Sequence, residues 1–254
     1  MKPVALVTGA RRGIGLGIAK ALASKGFDLA ITDIADDAAS QSAIKVLHKL
    51  GADTVFIQSD IADLTSHGAT VEAAIAKFGR IDCLVNNAGI GSKVRGDFLD
   101  LEPANYNAIF DINLRGTVFF TQAVLRTMLT GNTASHPRSI INITSVSAGM
   151  TSPERLDYCM TKAALASFTQ GLALRLADQG ISVFDVRPGI IRSDMTAVAA
   201  AKYDKLIAEG LVPMKRWGEP EDLGRIVAAL ASGDFNFATG SVINADGALS
   251  ISRL

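Results

Sequence analysis

The chain has 254 residues, 48% of them hydrophobic and 20% charged, with 25 basic side chains set against 25 acidic ones. A formal net charge of zero and a pI near 6.8 exclude the basic footprint of a nucleic-acid-binding domain, so no nucleic-acid partner is expected. Two cysteines, Cys83 and Cys159, are too few for a disulfide scaffold, and no apolar run approaches the roughly 18 residues of a membrane span, so the expectation is a soluble cytoplasmic protein with no membrane partner.

Residues 4–7 form a short apolar run that reads as a first strand and leads into Thr8-Gly9-Ala10-Arg11-Arg12-Gly13-Ile14-Gly15. Glycines let the backbone turn tightly and come close to a pyrophosphate, while the amides and positive dipole end of a helix over 15–24 attract its charge. Taken alone, the triplet is weak evidence, because a glycine-rich turn that merely starts a helix is the alternative. Further strands are expected at 28–32, 54–58, 83–85, 139–144, 182–186 and 241–244, and helices at 38–50, 65–77, 103–129, 157–177 and 220–231. The alternation predicts one α/β domain over 1–254: a single Rossmann-type, doubly wound parallel sheet of about seven strands with helices on both faces. The apolar composition suits such a sheet, whose strands are covered on both sides. A polar surface loop is expected at 130–137. The stretch 193–217 has no clear strand and reads as one or two short helices, either a candidate substrate lid at a strand's carboxyl end or an ordinary helical excursion packed on the core.

Several polar residues fall at these strand ends. Asp33 closes the second strand about twenty residues after the glycine turn, where a carboxylate accepts from ribose hydroxyls and repels a 2′-phosphate. Arg11 and Arg12 pull the other way, because a guanidinium pairs with that phosphate. Asp33 weighs more, so NAD(H) is favoured, with NADP(H) the alternative. Asp60, followed by Ile61, lies where it could meet the adenine edge, or else caps a helix. Asn86-Asn87-Ala88-Gly89 follows the fourth strand and suits a turn against which a cofactor can lie. Tyr158 and Lys162 are four apart and share a helix face. An ammonium near a phenol favours the phenolate and brings proton transfer nearer neutrality. Ser145, at the end of the fifth strand and thirteen residues before Tyr158, can hydrogen-bond a substrate oxygen.

Over essentially its whole length the chain resembles the short-chain dehydrogenase/reductases. The motifs carrying the likeness are Thr8-Gly-x-x-x-Gly-x-Gly15, Asp60, Asn86-Asn-Ala-Gly89, Asn113, Ser145, Tyr158-x-x-x-Lys162 and Pro188-Gly189. Within that family it is most similar to the 3-oxoacyl-acyl-carrier-protein reductase branch. The resemblance implies an NAD(P)-dependent oxidoreductase interconverting a small-molecule secondary alcohol and a ketone, or alternatively a 3-oxoacyl-carrier-protein reductase of fatty-acid synthesis. A dinucleotide-binding regulator that lost the chemistry would carry a substitution at Ser145, Tyr158 or Lys162, and all three are intact. Tyr158 is implied as general acid and base. Lys162 is implied to lower its pKa and hold the nicotinamide ribose, Ser145 to orient the carbonyl, and Asn113 to hold a relay water. Cofactor contacts are implied for Gly9, Arg12, Gly13, Ile14, Gly15, Asp33, Asp60, Ile61, Asn87, Ala88, Gly89, Tyr158, Lys162, Pro188, Gly189, Ile191 and Ser193. No metal is required.

An apolar substrate wall is expected from Met150, Pro153, Leu156 and Met195, though the neighbouring Glu154 and Arg155 could equally suit a polyol. The basic residues Lys93, Arg95, Arg155, Arg192, Lys215 and Arg216 could meet an acidic carrier protein but read first as solvated surface, and His48, His67 and His136 read as surface residues. Ala248 stands where the family usually has glycine. Family likeness further implies a homotetramer, with the helices over 103–129 and 157–177 pairing across one interface.

Overall fold

The structure, a computed structural model, describes residues 1–130, 136–197 and 199–253. The chain begins with β1 (Val4–Thr8), α1 (Gly13–Ser24), β2 (Asp28–Asp33), α2 (Ala38–Lys49) and β3 (Thr54–Gln58). It continues through α3 (His67–Phe78), β4 (Cys83–Asn86), α4 (Pro103–Phe110), α5 (Thr117–Thr130) and β5 (Arg138–Ile143). Last come α6 (Leu156–Leu176), β6 (Ile181–Pro188), α7 (Asp194–Ala197), α8 (Ala200–Ala208), α9 (Pro220–Ala231) and β7 (Val242–Ala245). The seven strands form one parallel sheet in the order β3-β2-β1-β4-β5-β6-β7. The order reverses between β1 and β4, and a crevice opens beyond the carboxyl ends of strands at such a point.

Side chains alternate across the strands, so β1 sends Ala5 and Val7 to one face and Leu6 to the other. On the first face Ile18 and Leu22 of α1, Leu47 of α2 and Val227 of α9 complete a core with the sheet. On the second, Val71 of α3, Phe120 and Val124 of α5 and Leu176 of α6 do so. Each large side chain buried this way contributes about 1.5–3 kcal/mol relative to exposure. Helices α1 and α9 meet almost backbone to backbone: a Cβ on Gly224 would stand 2.5 Å from the Gly17 carbonyl oxygen. That close crossing seats α1, and therefore the turn that precedes it.

The structure redraws some boundaries. The expected helix over 103–129 is interrupted by a π-helical turn at Asp111–Gly116, and a 3-10 turn, Leu64–Ser66, precedes α3. Most of the loop expected at 130–137 lies outside the described residues. His67 is not a surface residue. It is buried, with Nε2 3.0 Å from the Ile61 carbonyl oxygen and its ring edge-on to Phe120 at 5.2 Å, because the first turn of α3 packs against α5. Residues 193–217 form the short helices α7 and α8, with a small cluster of their own around Ile207, Val212 and Trp217. No described helix is long and apolar enough to cross a membrane.

Candidate active site

The glycine turn is locked by its own crowding. Gly9 has φ +64° and Gly13 φ +56°, a left-handed backbone that side chains disfavour. A Cβ on Gly15 would lie 2.2 Å from the Gly9 carbonyl oxygen. Asn87 Nδ2 donates to the carbonyl oxygens of Thr8 and Gly9 at 2.9 and 3.0 Å, and the amides of Asn87 and Ala88 both donate to Thr8 Oγ1. The ends of β1 and β4 are thereby stapled together. Arg12 precedes α1 with no side-chain cap on the helix, so the leading amides of α1 keep the donors that a phosphate takes up. Gly9, Gly13, Ile14 and Gly15 line a cleft of about 590 Å³ that runs on to Ser145, Tyr158 and Lys162. A cradle of this kind fits a dinucleotide pyrophosphate.

At the adenosine end, Asp33 accepts from the amides of Arg11 (3.2 Å) and Ile34 (2.9 Å). The Arg11 guanidinium lies 3.5 Å from Asp33 and also pairs with Asp37. Arg12 reaches across the cleft to Asp194 of α7 at 3.0 Å. Asp60 Oδ1 accepts from the Ala62 amide at 2.9 Å, closing a turn rather than capping a helix. The helical cap nearby is Asp63. Asp33, Asp60, Ile61 and Ala88 flank the cleft without lining it, whereas Arg12, Asn87, Gly89, Pro188, Gly189, Ile191 and Ser193 do line it.

At the other end Ser145, just beyond β5, has its Oγ fixed by the Ser147 amide at 3.0 Å. Tyr158 and Lys162 project from the first turns of α6, and both are buried. Burial pushes the Tyr158 phenol up from its usual value, while the Ser145 hydroxyl and the Arg155 charge pull it down. Burial pulls the Lys162 ammonium down to about 8, against the opposing charge of Asp185. Lys162 Nζ donates to the Ile143 carbonyl at 3.1 Å and stands 5.7 Å from the Tyr158 ring centroid. Asn113 lies on the π turn. Its Oδ1 accepts from the Ile90 amide at 2.8 Å and its Nδ2 donates to the Ile90 carbonyl at 2.9 Å. Turns of this kind unwind a helix locally and are frequent at functional sites.

The sequence reading missed two features. Asp185, on β6, is buried, takes a hydrogen bond from Thr144 Oγ1 and another from Arg187 Nε at 2.8 Å, and faces Lys162 electrostatically. The signal was a charged pair inside the apolar strand 183–187. The other is the substrate wall. Met150 and Met195 line the cleft, but Pro153 and Leu156 face a separate small crevice because the 3-10 turn Pro153–Arg155 points them away. Arg95 is exposed, as expected, at the rim of the cleft, and Arg155, beside the expected substrate wall, is half-buried on the cleft lining. Arg192 and Arg216 do pair at the surface, with Glu219 and Asp222.

The family model described as enoyl-(acyl-carrier-protein) reductase, one of those for the short-chain dehydrogenase/reductases, matches residues 9–250. The chain belongs to the short-chain dehydrogenase/reductase family. It is similar to a 3-oxoacyl-[acyl-carrier-protein] reductase of Brucella melitensis solved in complex with NAD, at 63% identity, TM-score 0.98, and coverage of 100% of this chain and 99% of that one. The 3-oxoacyl-[acyl-carrier-protein] reductase FabG of Staphylococcus epidermidis is 33% identical over 250 residues, covering 98% of this chain and 99% of FabG. A blue fluorescent protein from a metagenomic library, solved with NADPH, is 32% identical with TM-score 0.88 over 97% of both chains. The protein is therefore an NAD(P)-dependent oxidoreductase of this family, with a Rossmann-type sheet.

Proposed function

We propose that residues 1–254 act as one dinucleotide-binding domain that interconverts a small secondary alcohol and a ketone, with Tyr158 as general acid and base. The observation that carries this reading is the convergence of Ser145, Tyr158 and Lys162 on the cleft that begins at the uncapped amino end of α1. The nicotinamide, when bound, supplies or accepts the hydride. In reduction the Tyr158 hydroxyl gives its proton to the substrate oxygen, and Ser145 donates a second hydrogen bond to the same atom. A phenol held above its ordinary range is protonated at neutral pH, as an acid must be. Lys162 supplies positive charge beside the forming phenolate and holds the nicotinamide ribose. Both ends of the Asn113 side-chain amide are committed to Ile90, so its relay water would be held by the main chain of the π turn. Gly9, Gly13, Ile14, Gly15, Asn87 and Gly89 hold the pyrophosphate and neighbouring sugar, and Pro188, Gly189, Ile191 and Ser193 the nicotinamide. No metal takes part.

NAD(H) is the preferred cofactor. Arg11 is engaged by Asp33 and Asp37 and Arg12 by Asp194, which leaves neither guanidinium free for a 2′-phosphate, and Asp33 itself repels one. The residues 193–217 serve as the substrate lid, and the enzyme works in the cytoplasm. Apolar side chains left exposed on α5 and α6, Phe119 and Leu174 among them, support pairing into a homotetramer, which light scattering would test. A second reading, reduction of 3-oxoacyl thioesters on carrier protein, is favoured by the likeness to FabG. Steady-state rates over an alcohol and ketone panel with NAD(H) and NADP(H), against acetoacetyl thioesters, separate the two. Dominant thioester turnover with NADPH would replace the first reading by the second.

A further inference from the structure

The substrate end of the cleft carries positive charge that the protein does not neutralise. Arg155 ends the 3-10 turn before α6, half-buried, with its guanidinium 5.5 Å from the Tyr158 ring centroid. Among the described residues it has no ion pair. The carboxylates nearest in sequence are turned elsewhere: Glu154 faces Lys202 at 3.9 Å, and Asp157 accepts from Ser92 Oγ and the Tyr158 amide. Arg95, from the loop after β4, lines the same cleft and also lacks an ion pair among the described residues. Among the described residues the one carboxylate on the lining, Asp194, is engaged by Arg12. A guanidinium lining a partly desolvated cleft is a fork for a carboxylate, which it binds through two parallel hydrogen bonds.

We infer that the substrate is a short free hydroxy acid or oxo acid, whose carboxylate is held by Arg155, with Arg95 assisting, while its carbinol or ketone oxygen meets Tyr158 and Ser145. This inference rests on the proposed alcohol–ketone chemistry. In oxidation the carbinol C–H bond breaks and its electron pair leaves as hydride to oxidised nicotinamide, the hydroxyl proton passes to the phenolate form of Tyr158, and the carboxylate is unchanged. The remaining wall, Met150, Met195 and Leu211, suits the short carbon chain. A thioester, neutral at the matching position, leaves both guanidinium groups without a partner.

The test measures kcat/KM for NADH-dependent reduction of matched sets: pyruvate, acetoacetate and levulinate, each beside its methyl ester and its primary amide. At least one acid is expected to exceed its ester and amide by about ten- to a hundredfold, the range of a charge-assisted hydrogen bond, with the gain in KM. Arg155→Gln should collapse that ratio and Arg95→Gln reduce it. The ratio is the informative quantity, because any effect of Arg155 on Tyr158 acidity acts on acid and ester alike, and Arg155→Lys should restore part of it. Neutral ketones reduced as well as the acids, or a ratio unchanged in Arg155→Gln, overturn the inference and leave the reductase reading standing. Preference for acetoacetyl carrier protein over acetoacetate, lost in Arg155→Gln, overturns it in favour of protein docking. Failure of every ketone, acid or neutral, in protein that still binds NADH by fluorescence overturns the reductase reading and this inference with it.

Discussion

The two ends of the cleft are made from different material. At the dinucleotide end the contacts are backbone amides, glycines and the Thr8–Asn87 staple, all seated on buried strands. At the substrate end they are side chains on α7, α8 and the turn before α6, with a small cluster around Ile207, Val212 and Trp217 beneath them. The first end recognises its ligand by shape, so any added atom is felt. The second recognises by choice of side chain, so substitution changes what is bound rather than whether the end assembles. Tyr158, Ser145 and Lys162 stand at the junction, on rigid elements.

The sharpest break between the two ends is expected from Tyr158→Phe. Loss of the proposed general acid should lower kcat by about a thousandfold, while NADH affinity, measured by fluorescence titration, stays near wild type because the glycine cradle is untouched. Comparable loss of cofactor binding would mean that the ends are not separable. Gly15→Ala tests the opposite side. Its Cβ would meet the Gly9 carbonyl oxygen at 2.2 Å, and overpacking of about 1–3 kcal/mol should weaken NADH binding roughly ten- to a hundredfold. An unchanged dissociation constant would show that the turn is looser than its geometry. Asp33→Ser removes the carboxylate at the adenosine end and should shift the NADP(H)/NAD(H) preference by roughly tenfold or more toward NADP(H), with no change in the ranking of substrates.

Why the dinucleotide end was legible follows from its construction. Gly9, Gly13 and Gly15 are needed at fixed spacing because only glycine tolerates those backbone angles and approaches, so sequence and geometry say the same thing. The strands were legible because a sheet covered on both faces demands unbroken apolar runs. Asn113 fell within an expected helix, but the π turn that unwinds it follows from tertiary contacts rather than propensity: a Cβ on Gly116 would stand 2.2 Å from the Ile61 carbonyl oxygen. His67 and Arg155 were misjudged for a related reason. Their types are polar and exposed on average, and only the packing of α3 and the turn before α6 decides otherwise.

The junction itself has a pH signature. Lys162 is cationic below about 8, so kcat/KM for reduction should be level through neutrality and fall above that value as the ammonium supporting the phenolate is lost. Asp185→Asn removes the charge that favours the ammonium, and should move the fall to lower pH. No movement would separate Asp185 from Lys162. Stability has the opposite slope. The native-state value lies below the ordinary 10.5, so between about 8 and 10.5 the unfolded chain holds more protons, and this group's contribution to stability rises with pH. Lys162→Met should therefore stabilise the fold at pH 7, and its advantage over wild type should shrink as pH rises through that window.

The smallest expected effect lies beside the substrate end. Ala248 follows Gly247 with φ +71°, a left-handed conformation that costs a residue with a Cβ about 1–2 kcal/mol. Asp246 holds it there by accepting from the Ala248 amide at 2.9 Å. Ala248→Gly removes the strain but frees the unfolded chain, which offsets about 0.4–1 kcal/mol. The net gain should be roughly 0.5–1 kcal/mol, raising Tm by about 1–4 °C in a chain of this size. The measurement is thermal unfolding without substrate or cofactor. An unchanged or lower Tm would mean that the segment relaxes its backbone without help, whereas Gly9 and Gly15 of the dinucleotide end have no such freedom because neighbouring main chain crowds them.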